Sequence, residues 1–410
     1  MTDIPWDVVV IGAGAAGLLA AIRAAERGRR TLLLEKNRKP GVKILMSGGT
    51  RCNLTHATDN RGIVEAFGPP GKFLHSALAA LSVQHTIDLF EAEGVATKVE
   101  PTGKIFPISN KASDVLHALL RRLQRSGASL ALGEPLRDIR RTEQGLSLIT
   151  SSRTLLARTA ILTTGGQSYP GSGTTGDGYC FAAALGHNIV ATRPALVPIT
   201  LNVPWVAELR GITLPDVAVR ILEGSTVLAN RRGSLLFAHF GLSGPVVLDV
   251  SRVVSGHPRP ESLRLEMDLL PAVKDVELDD YLRREALTSG KKQLVNILPE
   301  ALPRRFGETL LTLAGMSSAR KAAGLSKGER GQLVQRIKHL QVPLTGTLGF
   351  EKAEVTAGGV ALEEVDSRSL RSKFVPELFI AGEVLDLDGP IGGYNFQAAF
   401  STGWLAGSSV

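Results

Sequence analysis

The sequence predicts an α/β protein whose nucleotide-binding core is assembled from both ends of the chain, with the middle inserted into it. Three observations carry this expectation. GAGAAG at Gly12–Gly17 lies between an apolar run and an Ala-rich stretch. A second glycine-rich segment, GPIGGYNFQAAF at Gly389–Phe400, follows another short apolar run and continues into another Ala-rich stretch. Between the two, composition changes at Arg193-Pro194 and again near residue 343.

Trp6–Ile11 reads WDVVVI, the short β-branched run of a buried parallel strand. Leu18–Arg27 then has no glycine or proline, so a helix opens within the glycine segment. In this strand, turn and helix unit, Gly12 permits the turn and Gly14 lets a pyrophosphate approach the backbone. Gly17 lets the helix pack on the strand, while Ala15 and Ala16 place amides of the positive helix terminus at the phosphates. The next strand, Thr31–Leu34, ends at Glu35, whose carboxylate would bind ribose hydroxyls and repel a 2′-phosphate. FAD or NAD is therefore expected rather than NADP, with Lys36 beside the same contact.

At 410 residues, 43% hydrophobic and 21% charged, the chain can bury one large core or several smaller ones. No run approaches the length of a membrane span, and no secretory leader is recognisable. Two cysteines, Cys52 and Cys180, neither in a CxxC, fit a reducing cytoplasm; by themselves they cannot form a metal cluster, and a disulfide shuttle is not expected. The net charge of +8 is spread in short groups such as Arg231-Arg232 and Lys291-Lys292. That pattern reads as a solvated surface, and a nucleic-acid partner is not expected from it.

Lys36–Thr55, KNRKPGVKILMSGGTRCNLT, shows no clear period and is expected as an irregular, ligand-wrapping loop. Amides around Ser47, Gly48 and Gly49 can donate to ligand oxygens, Arg51 and Asn53 add polar side chains, and Cys52 fits as a small buried neighbour. Helices are expected over Phe73–Ala92 and Ala112–Arg125, the second with apolar residues at helical spacing and His117 as a structural residue. Strands follow at Ser129–Leu132, Leu136–Arg140, Leu146–Ile149 and Ala157–Thr163, with Leu136 among the expected cofactor contacts. The last strand runs into Thr164-Gly165-Gly166, a further expected contact through Thr164 and Gly165. A helix at Asp177–Leu185 ends before His187, which suits a C-cap position.

From Leu196 to about Met267 alternating stretches such as VPITLNV and DVAVRIL predict a small antiparallel sheet or barrel. Pro271 to Leu340 is helical in period and highly charged. After this excursion a strand near Leu378–Ala381 ends at Gly382-Glu383, and glycine loop and helix recur. There Glu383 can bind a ribityl hydroxyl, and the helix opened at Gly392-Gly393 can stabilise negative charge on a bound ring. Tyr394, Asn395 and Gln397 add side chains to this end.

These segments resemble the BaiN-like family of NAD(P)/FAD-dependent oxidoreductases, also labelled aminoacetone-oxidase-family FAD-binding enzymes. The likeness runs through GAGAAG with Glu35, KILMSGGTRCNLT, GKIFPISNKASDVL, TTGGQSYPGSGTTGDGY, PALVPI, VTAGGV and AGEVLDLDGPIGGYNFQAAFSTG. One departure is Thr50, where the family usually has a third glycine. The resemblance implies a Rossmann-like FAD-binding domain of the two-dinucleotide-binding-domain flavoprotein type, interrupted by a β-barrel subdomain and a helical subdomain. The expected boundaries are 1–193 and 344–410 for the FAD domain, 194–270 for the barrel and 271–343 for the helices. FAD is implied to bind noncovalently, its adenosine at Gly12–Gly17 and Glu35 and its flavin near Ser47–Asn53 and Gly392–Gln397.

The activity implied is hydride transfer between flavin and a small or medium organic substrate. No second strand-GxGxxG-helix unit provides an NADPH domain, so NADH or NADPH is expected only as a transient reductant. Tyr394 is a candidate proton donor, and His239, in LLFAHFGLSGP, either faces the ligand or packs into the core. An RNA-modifying flavoprotein and a noncatalytic FAD-binding module are the alternatives.

Overall fold

A computed structural model of the chain describes residues 5–410, which divide into two compact units. The first runs to Pro194 and resumes from Glu354 to Val410; the second is Ala195–Ala353.

The first unit is built on Trp6–Ile11, which pairs in parallel with Thr31–Glu35 on one side and Thr154–Leu162 on the other. Ser129–Leu132 extends the sheet beyond Thr31–Glu35. The long strand Thr154–Leu162 divides its far edge between two partners. Its first half takes the antiparallel strand Gly145–Thr150, and Ala160–Leu162 takes Leu378–Ile380 in parallel. The C-terminal part of the chain thus enters the sheet made by the N-terminal part. Val8, Val9, Val10, Leu33, Ile161 and Ile380 are at most 1% exposed, as strands covered on both faces require.

Helices Ala15–Glu26 and Tyr394–Ser409 lock the two ends together. A Cβ on Gly403 would stand 2.2 Å from the Ala16 carbonyl oxygen, and one on Gly407 2.3 Å from that of Ala20. Glycine is therefore what allows the helix backbones to touch. Because Gly403 meets Ala16 and Gly407 meets Ala20, the helices run in the same direction. At 1.5 Å per residue, Tyr394 projects about 12 Å beyond Ala15.

The second unit carries an antiparallel sheet whose main strands are Thr213–Glu223, Thr226–Ala238, Leu263–Asp268 and Leu340–Pro343. Helices Asp275–Thr288, Arg304–Leu313 and Lys327–Lys338 belong to the same unit.

Three segments differ from the sequence expectation. Lys36–Thr55 is not wholly irregular: a helix begins at Val42 and breaks at Ser47, where ψ is 151°. The break follows from Gly48 and Gly49, both left-handed, which leave no helical hydrogen-bond register to continue. Phe73–Ala92 is a 3₁₀ turn and two helices, His75–Ala80 and Val83–Ala92, because Ser82 accepts the His85 N–H and caps a new start. Pro245–Gly256, inside the stretch expected to be strands, is a helix. Its Val246, Val247, Val250 and Val254 are buried at helical spacing, and Pro245 at the first position favours the turn.

Candidate active site

Gly12 adopts φ +103°, and a Cβ there would lie 2.8 Å from the Thr163 carbonyl oxygen. Gly17 is tighter still: its Cβ would stand 1.8 Å from the Gly12 oxygen. Gly14 is the opposite case, with no protein atom within 4 Å of a Cβ built on it. Two glycines are thus demanded by packing and the third faces open space. Gly14 is also the N-cap of helix Ala15–Glu26 and supplies no side-chain cap, which leaves the helix terminus to anions.

Glu35, 8% exposed, closes this turn from the neighbouring strand. It accepts the Ala13 N–H through Oε2 at 2.8 Å and the Asn37 N–H through Oε1 at 2.8 Å. Lys36 turns away to pair with Asp177 at 2.6 Å. Thr163 donates to the Ile11 oxygen at 2.9 Å, and beyond it the buried Thr164 Oγ1 has no partner. Gly165 follows at φ +73°, and Leu136 is buried at the start of its strand.

At the other end, Ser47 to Cys52 forms a left-handed loop. Gly48, Gly49, Thr50 and Cys52 all have φ between 56° and 68°, strained for the two that are not glycine. A Cβ on Gly48 would lie 3.0 Å from the Asn53 nitrogen. Asn53 Oδ1 and Thr55 Oγ1 are buried and have no partner. Arg51 is committed to Glu100 at 2.6 Å and lies 4.0 Å over the Phe106 ring. Cys52 is fully enclosed, and burial pushes its thiol up to about 12 although Ser47 opposes the shift. It is a protonated, inert neighbour of the loop.

Gly392 and Gly393, at φ +128° and +98°, open helix Tyr394–Ser409. A Cβ on Gly393 would lie 2.4 Å from the Thr55 oxygen, so this loop rests directly on the first. The Gly392 oxygen accepts from His56 Nδ1 at 3.0 Å, and the His56 ring stacks on Tyr394 with centroids 4.6 Å apart.

Asn395 folds back to the Gly389 N–H and carbonyl. The amide nitrogen of Gln397, an expected cofactor contact, is spent in the core on Leu81, Thr86 and Ser401, while its Oε1 is buried without a partner. The residue is fully buried, one turn into the helix Tyr394–Ser409.

Glu383, expected at a ribityl hydroxyl, is held by residues from three other segments. Its Oε2 accepts from Lys43 Nζ at 2.6 Å, and its Oε1 accepts from Ser168 Oγ at 2.8 Å and from the Thr356 N–H at 3.0 Å. Lys43 also donates to Ser168 at 2.8 Å. Gly382, at φ +80°, donates to Thr402 Oγ1. Nearby, burial pushes the Tyr179 phenol up, and the Glu383 and Asp386 carboxylates add to the shift.

Sequence reading missed Lys43, His56, Ser168 and Thr356 as site residues. Lys43, Ser168 and Thr356 sit in the motifs KILMSGG, GGQSYPG and VTAGGV, which was the available signal. His239 is exposed, in the turn after Thr226–Ala238 in the second unit, with Phe240 edge-on at 5.0 Å, so core packing is excluded for it. His187 has the expected backbone bond to Ala182, but its ring is wholly buried, with Nδ1 on Glu364 at 3.1 Å and Nε2 on Ser372 at 2.8 Å. Among the described residues no group of His, Cys, Asp and Glu could hold a metal, and no helix is long and apolar enough to cross a membrane.

The residues present fit a dinucleotide. Open space at Gly14, an uncapped helix terminus, the buried Glu35 carboxylate at the end of the second strand, and orphaned polar atoms at Thr164, Asn53 and Thr55 are the features such a ligand would meet.

Comparison with known proteins agrees. The HI0933-like protein Rossmann domain family matches residues 6–409. The chain is 35% identical over 408 residues to a ribosomal RNA dihydrouridine synthase of Escherichia coli strain K12, covering 99% of this chain and 98% of that one. It is 30% identical over 408 residues to a 3-dehydro-bile acid delta(4,6)-reductase of Clostridium scindens, covering 98% of each. Among solved structures, a 3-ketosteroid-delta4-(5alpha)-dehydrogenase from Rhodococcus jostii RHA1 shares the fold at TM-score 0.51 and 17% identity, over 99% of this chain and 97% of that one. The Escherichia coli quinol fumarate reductase subunit FrdA does so at TM-score 0.51 and 16% identity, over 99% and 69%. The chain belongs to the HI0933-like Rossmann family of FAD-binding flavoproteins.

Proposed function

We propose that the protein is an FAD-dependent reductase of carbon–carbon double bonds conjugated to a carbonyl, drawing electrons from NADH or NADPH. The observation that carries this reading is the parallel, staggered pair of uncapped helix termini. In this reading Ala15 would meet the pyrophosphate, and Tyr394, about 12 Å further along, would stand at the flavin end. Noncovalent binding falls to Gly12–Gly17, Glu35, the Ser47–Asn53 loop and Gly392–Asn395. The reactions named for the two relatives supply the substrate chemistry: reducing a uracil 5,6 bond and reducing a delta(4,6) 3-oxo steroid both saturate a bond conjugated to a carbonyl.

Bound flavin supplies the hydride. The residues of the chain orient it and manage charge and protons. The terminus of helix Tyr394–Ser409 stabilises negative charge beside it. Tyr394 is the proton donor of this reading, its ring orientation held by His56, whose own ring is fixed by the Gly392 carbonyl.

A second reading differs only in substrate, with a uridine in RNA in place of a small molecule. Relatives at 35% and 32% identity named as ribosomal RNA dihydrouridine synthases favour it. Anaerobic mixing of the holoprotein with NADH or NADPH tests the common core. Rapid loss of flavin absorbance is expected, followed by its return on adding either 4-androstene-3,17-dione or a uridine-containing RNA. No bleaching by either nucleotide overturns the reductase, and a purified protein that takes up no FAD overturns the whole reading.

A further inference from the structure

In the second unit, the segments 290–294 and 320–323 form a short antiparallel ribbon after helix Asp275–Thr288. Gln293 bridges Lys321, Ala322 donates its N–H to the Lys292 carbonyl at 3.0 Å, and Leu294 donates to that of Arg320 at 2.7 Å. The ribbon carries Lys291, Lys292 and Lys321, all exposed. Lys321 and Gln293 stand opposite one another at the bridge and share a face, and Lys291 and Lys292 lie in the adjoining turn, which the Lys292 N–H closes onto the Ser289 carbonyl at 2.8 Å.

The neighbouring cations are neutralised. Arg320 is paired with Glu329 at 2.5 Å and Arg283 with Asp280 at 3.2 Å. The three lysines have no carboxylate partner among the described residues, and Arg284, exposed near the end of the helix, has none either. Four unneutralised charges on one ribbon and the adjoining helix end repel one another, a cost that an external anion would relieve. Leu287, 77% exposed on the same helix, adds an apolar contact beside them. A single small anion meets one or two of these cations, whereas a chain of regularly spaced phosphates meets all of them and releases counterions at each.

We propose that the ribbon bearing Lys291, Lys292 and Lys321 is a docking surface for the phosphate backbone of RNA. It rests on the RNA reading of the substrate, and assigns to that reading a sequence-independent anchoring surface that the glycine turns do not provide. The lysines position the polymer and take no part in the chemistry.

The test is fluorescence anisotropy of the FAD-loaded, full-length protein with a fluorescein-labelled RNA hairpin carrying uridines in its loop, titrated between about 50 and 200 mM salt. Replacing all three residues (Lys291→Ala, Lys292→Ala and Lys321→Ala) is expected to weaken binding about tenfold at the lower salt. It should also reduce the slope of log Kd against log salt by about 2, with flavin absorbance and thermal midpoint unchanged. Lys352→Ala, which removes an exposed charge elsewhere in the unit, should alter the slope by less than about 1. The single Lys321→Glu variant should give a partial loss. Wild-type binding by the triple variant overturns the docking surface while leaving the RNA reading standing. No RNA binding by the wild type at low salt overturns the RNA reading itself, whereas the NADH or NADPH bleaching assay reports on the reductase separately.

Discussion

Lys43 and Glu383 form a 2.6 Å ion pair although they belong to opposite ends of the sequence. With Ser168 and Thr356 on the same carboxylate, four distant segments converge on one side chain. Lys43→Met leaves that carboxylate, 18% exposed, without its cation. Unfolding free energy is expected to fall by about 1–2 kcal/mol and FAD affinity to fall with it. Chemical denaturation and fluorescence titration with FAD check both. Unchanged values would show that Ser168 and Thr356 suffice.

Gly14 and Gly17 separate ligand contact from packing. Gly14→Ala meets no protein atom, and its φ of −82° suits alanine, so the apoprotein should keep its thermal midpoint within a degree or two while FAD affinity drops at least tenfold. Gly17→Ala drives a methyl group into the Gly12 carbonyl and should destabilise the apoprotein itself by about 2 kcal/mol or more. Equal midpoints for the two apo variants would contradict the assignment.

Thr50 holds φ +68°, a conformation disfavoured for a β-branched residue. Its hydroxyl only meets the adjacent Gly49 carbonyl at 2.6 Å. Thr50→Gly is expected to stabilise the protein by about 1 kcal/mol, the relieved strain outweighing the added freedom of the unfolded chain. A lower thermal midpoint would mean the threonine is held for another purpose.

His187 gives the protein an acid sensitivity. Burial lowers the imidazole from its ordinary value of 6.5, and the bond and charge of Glu364 only partly offset this. A depressed folded-state value means the unfolded chain binds the proton more readily, so the contribution of this residue is complete above pH 6.5 and is lost as pH falls through the lowered value. Stability measured from pH 8 to 5 should therefore decline less in His187→Gln than in the wild type. Parallel curves would remove His187 as the cause.

Much of the first unit is legible in the sequence because its signals are local. WDVVVI, TLLLE and ARTAIL are short, apolar and bounded by turn residues, and each became a buried parallel strand. The helix Pro245–Gly256 was not legible, since Val246, Val247, Val250, Val253 and Val254 satisfy β-propensity as well as a helical stripe, and only packing on the sheet decides. The break at Leu81 and Ser82 escaped for a similar reason: an amphipathic period runs on either side of it, and the Ser82 cap is visible only in the bond to His85.

Taken alone, the sequence determined that a glycine-rich turn between a strand and a helix stands near each end of the chain, because strand run, glycines and helix start are local signals. Which polar residues remain available to a ligand was decided only by the tertiary structure. Gln397, Arg51 and Asn395 carry the right chemistry, but their donors are engaged by Thr86, Glu100 and Gly389. Lys43, His56 and Ser168 enter the site through Glu383 or Gly392, more than 200 residues away in each case, and Thr356 through Glu383, 27 residues away. Periodicity reports a residue's face and neighbours along the chain. Contacts at such separations depend on how the sheet and the two parallel helices bring the ends together, which Gly403 and Gly407 permit and no local pattern announces.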